Sequence, residues 1–178
     1  MSDLSDTSFD KSWTLFLDRD GVINVRNFHG YITQIEDFKF IDGSKEAIVR
    51  FSKIFGRIVV VTNQQCIGKG IISEDKLNAI HKHMLDEITN AGGHIDQVYF
   101  APQLASENSV YRKPNSGMAD LAQQDFPEIN FEKSIIIGDS ISDMAFGLNK
   151  GMRTVFIHPE VNNTYDYCYK TLGEFLKE

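Results

Sequence analysis

Two aspartates one residue apart, Asp18 and Asp20, close the apolar run Thr14-Leu15-Phe16-Leu17 and directly precede Gly21. Carboxylates this close repel, so they need a cation between them or a shared proton. A bound Mg²⁺ meets that need, because it is a hard cation that takes oxygen ligands. One carboxylate could then serve as a nucleophile and the other as a general acid and base. The plain alternative is a strand-end turn, since Asp and Gly are ordinary turn residues. This stretch alone leaves both readings open.

Three further residues stand where chemistry would need them. Thr62 ends the apolar run Ile58-Val59-Val60-Val61, and its hydroxyl and the N–H groups after it can hold phosphate oxygens. Lys113 lies in the loop Arg112-Lys113-Pro114, where a lysine could screen a phosphate and a nucleophilic carboxylate. Asp139 follows Ile135-Ile136-Ile137-Gly138, where it could ligate a metal or simply cap a helix. Asp143, one turn later, could support Asp139 or a neighbouring backbone group. Taken singly, each has an ordinary structural explanation: a strand threonine, a solvated lysine, a capping aspartate. Their joint occurrence at four successive strand ends is harder to explain that way.

The elements that must hold these residues alternate. Short β-prone runs at 13–17, 57–62, 95–100, 134–137 and 153–157 read as buried strands. Between them, Asp42-Gly43-Ser44 is expected to cap a helix bearing Ala47, Ile48, Phe51 and Ile54, which Gly56 would end. Ser73 opens a longer helix with Leu77, Ile80, Met84, Leu85 and Ile88 at helical spacing. Helices are also expected over 116–124, 140–149 and, shorter, 171–177. Residues 21–42 read as an irregular hairpin or flap over the strand ends. Strand alternation would point Asp18 and Asp20 one way and Arg19 the other. Alternating strands and helices predict an α/β fold, a parallel sheet with helices on both faces. Ligands bind such sheets at the C-terminal ends of the strands.

The 178 residues suggest one domain over 12–178, with a frayed, polar start over residues 1 to about 11. A net charge of −7 without a dense basic run argues against nucleic acid as the main partner. Cys66 and Cys168 lack metal-ligand spacing and are expected to be free thiols in a reducing cytoplasm. The acidic start does not look like a secretory leader, and no apolar run approaches membrane-spanning length. His81, His83, His94 and His158 show no shared face and read as ordinary structural histidines.

Over nearly its whole length the chain resembles the haloacid dehalogenase (HAD) phosphatases. Phe16-Leu17-Asp18-Arg19-Asp20-Gly21, Val60-Val61-Thr62-Asn63, Lys113 and Gly138-Asp139-Ser140-Ile141-Ser142-Asp143 match that superfamily's four motifs in order. Asp18-Arg19-Asp20-Gly21-Val22-Ile23-Asn24, His29-Gly30-Tyr31, Thr62-Asn63-Gln64, Gly68-Lys69-Gly70 and Arg112-Lys113-Pro114 narrow the likeness to the heptose bisphosphate phosphatases. Histidinol-phosphate phosphatases are close relatives with similar signatures. The resemblance implies a three-layer Rossmann-like fold without a large cap domain. It also implies a small phosphorylated sugar as substrate and a monomer or small homo-oligomer.

For the site, the resemblance implies that Asp18 carries the phosphoryl group and Asp20 is the acid and base. Mg²⁺ would be held by Asp18, Asp139 and the backbone carbonyl of Asp20. Thr62, Asn63, Gln64 and Lys113 would take the phosphoryl oxygens, and His29, Gly30, Tyr31 and Arg112 would meet the rest of the substrate. Two departures stand out. The loop before Arg112 usually holds zinc through Cys and His, but Phe100 to Glu107 contain neither, so no zinc is expected. Many relatives carry Lys after the fourth-motif aspartate, where this chain has Ser140. Idle HAD modules often lack a carboxylate of the set, and this chain keeps every one.

Overall fold

The structure, a computed structural model, describes residues 9–158 and 167–175. Its strands are β1 (Thr14–Leu17), β2 (Arg57–Asn63), β3 (Gln97–Ala101), β4 (Ser134–Gly138), β5 (Arg153–Ile157) and β6 (Tyr167–Tyr169). They form one parallel sheet in the order β3-β2-β1-β4-β5-β6. The helices are α1 (Ser44–Ile54), α2 (Glu74–Asn90), α3 (Gly117–Asp125) and α4 (Ile141–Leu148).

Pleating explains the layers. Side chains alternate along a strand, so register decides which residues share a face. Leu15 pairs with Ile58 and Ile135, and Leu17 with Val60 and Ile137. These residues pack with Ala47, Ile48 and Phe51 of α1 and Ile80, Met84 and Ile88 of α2. The intervening Phe16, Val59, Val61 and Ile136 pack with Met118, Ala119 and Ala122 of α3 and Phe146 of α4. The result is three layers, as expected. Each fully buried Leu, Ile or Phe contributes about 1.5–3 kcal/mol, so the rigid part of the molecule is the sheet centre, where β1 lies. Trp13, just before β1, packs edge-on against Phe9 and lies under the Arg153 guanidinium, 4.9 Å from its ring centre.

Strand order reverses at β1, with β2 on one side and β4 on the other. At such a switch point the connections leave in opposite directions and open a crevice beyond the strand ends. Asp18 emerges there, its N–H donating to Ile137 O at 2.9 Å. The chain then turns sharply, and Arg19 O accepts from the N–H groups of Val22, Ile23 and Asn24. Asn24 bridges back to Asp20 and across to Phe40, which makes the expected flap a narrow ribbon.

Several local expectations are corrected. Gly43, not Asp42 or Ser44, occupies the N-cap of α1, with φ +81 and no side-chain bond. The Ser44 hydroxyl instead donates to Ile23 O, tying α1 to the ribbon. Gly56 is not a left-handed cap. It is there because a Cβ would lie 2.0 Å from Lys11 O. Asp18 to Asp20 lie beyond β1, so strand alternation does not orient them, and Arg19 turns back toward Asp20. The tail adds β6, and the short helix expected over 171–177 is a 3₁₀ turn over Leu172–Glu174, with residues 176–177 outside the described residues. The expected frayed start falls mainly on residues 1–8, outside the described residues. Phe9 packs on Phe55, and Lys11 Nζ donates to Ser52 O and Phe55 O. No described helix is long and apolar enough to cross a membrane.

Candidate active site

Beyond the strand ends lies an open cleft of about 580 Å³. Asp18, Asp20, Thr62, Asn63, Gln64 and Lys113 line its floor, and His29, Gly30, Tyr31, Lys69 and Arg112 its walls. Asp139 joins from β4 through its contact with Arg26, another lining residue. Every residue singled out from the sequence is therefore at one place.

Lys113 is the hub. Its Nζ donates to Asp18 Oδ1 at 2.8 Å and Val61 O at 2.7 Å, and pairs with Asp143 Oδ1 at 2.5 Å. The ammonium thus donates two hydrogen bonds and neutralises Asp143 by charge. Asn63 fixes the lysine through the main chain: its Nδ2 donates to Lys113 O, and its Oδ1 accepts from Lys113 N–H, both at 3.0 Å. The Lys113–Pro114 peptide is cis. Asp143, fully buried, also accepts from Ser140 N–H and Oγ. A Cβ on Gly138 would lie 2.2 Å from Asp143 Cβ, so only glycine lets α4 come this close to β4.

The acidic centre is short of positive charge. Carboxylate oxygens of Asp18, Asp139 and Asp143 lie within 4.8 Å of one another. Only Lys113 and Arg26 pair with them among the described residues, leaving one negative charge uncompensated. Burial pushes the Asp18 carboxyl up to about 7, against Lys113 and with help from Asp143 and Asp139. Burial raises Asp139 too, although Arg26 opposes it. Lys113 is pushed up to about 12, because Asp143 and Asp18 outweigh its own burial. Hard oxygen donors with a charge deficit suit a divalent cation such as Mg²⁺. Among the described residues, Asp18 bonds Lys113 through Oδ1 alone, and the Asp139 oxygens meet only Arg26, whereas Asp143 is committed to Lys113 and Ser140. The Asp20 side chain is not part of this cluster.

Asp20 is held elsewhere. It accepts from Arg19 at 2.9 Å, Asn24 at 3.0 Å and Gln64 at 2.8 Å. Burial alone would raise its carboxyl, but the Arg19 charge and these bonds hold it below the usual range. Gln64 Nε2 also donates to Thr62 Oγ1 at 2.9 Å. On the walls, Tyr31 OH accepts from Gln65, and Lys69 Nζ lies over the Tyr31 ring at 5.3 Å. Arg112 reaches Gln103 O at 3.4 Å, and burial lowers it from its ordinary value. Asn115 and Glu107 bond within the same loop.

Two participants escaped the sequence reading: Arg26 pairs with Asp139, and buried Arg19 pairs with Asp20. His81 is structural, as expected, and braces Arg19. Arg19 NH1 donates to His81 Nε2 at 3.0 Å, which places the imidazole proton on Nδ1. The run of apolar positions flanking His81 on α2 was the available signal, since it puts that side chain on the buried stripe. Burial and the Arg19 charge push His81 down to about 3, so it stays neutral. A folded-state value below the unfolded one means the unfolded chain binds the proton first as pH falls. Stability from this group is therefore lost progressively from about pH 6.5 to 3. His81→Gln keeps an acceptor for Arg19 but cannot titrate. Its stability in urea should fall less steeply over that window, by at most about 1.4 kcal/mol per pH unit.

Known proteins resemble this chain in sequence and fold. The family model described as polynucleotide kinase 3 phosphatase matches residues 13–163. The D-glycero-alpha-D-manno-heptose-1,7-bisphosphate 7-phosphatase of Campylobacter jejuni is 36% identical over 168 residues, covering 93% of this chain and 95% of that protein. The D-glycero-beta-D-manno-heptose-1,7-bisphosphate 7-phosphatase of Escherichia coli K12 is 33% identical, covering 90% of each. The fold matches a crystal structure of D,D-heptose 1,7-bisphosphate phosphatase from B. bronchiseptica, complexed with magnesium and phosphate. Its TM-score is 0.82 at 22% identity, covering 90% of this chain and 94% of that one. With likeness of this extent in sequence and fold, the chain belongs to the HAD phosphatases, in the family of the D-glycero-D-manno-heptose 1,7-bisphosphate 7-phosphatases.

Proposed function

We propose that the protein removes the 7-phosphate of D-glycero-D-manno-heptose 1,7-bisphosphate through a phosphoryl group carried on Asp18. The observation that carries this reading is the placement of Asp18 on the cleft floor beside Lys113, with Lys69 and Arg112 on the walls above. A substrate with two phosphates needs a reacting end and a second, charge-complementary end, and this cleft has both. The full-length kinship with heptose bisphosphate phosphatases supports the same substrate.

Asp18 attacks phosphorus, and the bond to the sugar oxygen breaks. That oxygen leaves with the electron pair and takes a proton from Asp20. Asp20 then deprotonates water, which attacks the same phosphorus, and the bond to Asp18 breaks to free phosphate and restore the carboxylate. Lys113, Thr62 and the N–H groups of the following loop hold the phosphoryl oxygens, and such positioning and charge stabilisation account for most of catalysis here. Asp20 must take up its proton as substrate arrives, because its three donors keep it ionised beforehand. Asp18, Asp139 and the Asp20 carbonyl would hold Mg²⁺, whose charge would lessen the repulsion between the attacking carboxylate and the phosphate. Buried Cys66, its thiol pushed up by burial, takes no part.

The test is a panel with Mg²⁺: both heptose bisphosphate anomers, histidinol phosphate and a 3′-phosphorylated oligonucleotide. One heptose anomer is expected to exceed histidinol phosphate and the oligonucleotide in kcat/KM by about 10²-fold or more. Histidinol phosphate carries one phosphate and a cationic amine, which the basic walls disfavour. Flat, weak activity across the panel would remove the substrate while leaving the reaction class.

A further inference from the structure

Arg26 belongs to the ribbon, not to any strand end, yet it sits on the acidic centre. A single nitrogen, NH1, donates to both oxygens of Asp139, at 3.0 and 2.9 Å. The flank of Asp139 toward Gly21 is closed, since a Cβ there would lie 1.9 Å from Asp139 Oδ2. Lys113 is committed to Asp18, Asp143 and Val61 O, so the Asp139 charge falls to Arg26. Among the described residues, Asp139 is the only ion-pair partner of Arg26. The Arg26 side chain is 42% exposed against 12% for Asp139, and its guanidinium lies over the exposed Phe28 ring at 5.8 Å. One end of the pair is therefore largely enclosed, and the other can swing out into the cleft.

We propose that Arg26 is a displaceable internal cation, which neutralises Asp139 in the metal-free protein and must leave that carboxylate when a divalent cation takes it. The inference rests on the reading of Asp139 as a metal ligand. Its physical content is competition: two cations cannot hold the same two oxygens, and a guanidinium beside a divalent ion is repelled. Resident Arg26 therefore weakens metal binding. In exchange it keeps three crowded carboxylates tolerable while no metal is present.

Calorimetric titration of the full chain with Mg²⁺ tests this without reference to turnover. Arg26→Ala and Arg26→Gln should each bind Mg²⁺ about three- to five-fold more tightly than the wild type, the upper scale of a partly exposed ion pair. Arg26→Lys, which keeps a cation, should stay nearer the wild type. Circular dichroism melts in chelator identify any variant that fails to fold. Affinity within two-fold of wild type in both neutral variants, or weaker, overturns the role of Arg26. Asp139→Asn separates the two readings. If it binds Mg²⁺ as tightly as wild type, the metal reading fails and the competition falls with it.

Discussion

Asp18→Asn is expected to lower kcat by about 10⁴-fold or more, because it removes the nucleophile and not an accessory contact. The amide is almost the same size, so the cleft should keep its shape. The loss should appear in kcat, with substrate binding little changed. Stability should move the other way. Asp18 lies with Asp139 and Asp143 in a buried cluster where the negative charge exceeds the positive. Removing one carboxylate relieves that repulsion, and Lys113 keeps Asp143 as a partner. In the presence of chelator, the variant should melt at or above the wild-type temperature. Such a trade between stability and activity marks a residue kept for chemistry. Appreciable residual turnover would remove Asp18 from the role given to it here.

The second large effect is expected at Lys113. Replacement by Met keeps much of the volume but leaves Asp18 and Asp143 buried without their shared cation. Breaking a buried pair this way costs about 3–5 kcal/mol, which should be plain in urea unfolding. Loss of a phosphate-facing charge should also lower kcat by about 10²–10³-fold. The double variant Lys113→Met, Asp143→Asn separates the two losses. It should regain part of the stability, because one orphaned charge is gone, and none of the activity. Lys113→Arg should not rescue either. A planar, bulkier guanidinium cannot sit among Asp18, Asp143 and Val61 O as a compact ammonium does.

Most of the acidic floor could be read from the chain because Asp18, Asp20, Thr62 and Asp139 stand at or just beyond the ends of strands with an unambiguous pattern, whereas Lys113 in its loop was marked only by the Arg-Lys-Pro resemblance. Thr14 to Leu17 and Ser134 to Ile137 are buried on both faces, and such runs leave little doubt about where they end. What spacing could not show was pairing between distant side chains. Arg26 finds Asp139 across 113 positions, and Arg19 finds His81 across 62. A charged residue in an irregular connection carries no periodicity that says which carboxylate it meets. Asn63 was expected to present its backbone to phosphate, and its side chain proves to be the brace on Lys113. At β6, three half-buried residues, Tyr-Cys-Tyr, were too few to register as a strand. The α1 cap misled for a different reason. Asp and Ser flank a glycine whose positive φ turns the chain there, so neither needed to bond the helix end.

The lone tryptophan carries a practical consequence. Trp13 sits at the foot of β1, while Asp18 stands at its head, about 16 Å away by the rise of an extended strand. Its indole is enclosed by Phe9 and Arg153, groups that no ligand in the cleft would disturb. Intrinsic emission is thus a clean thermometer of global melting and is blind to occupancy. Titrations that must see cargo arrive need a reporter placed elsewhere, with the ribbon near Phe28 the natural place to attach a dye.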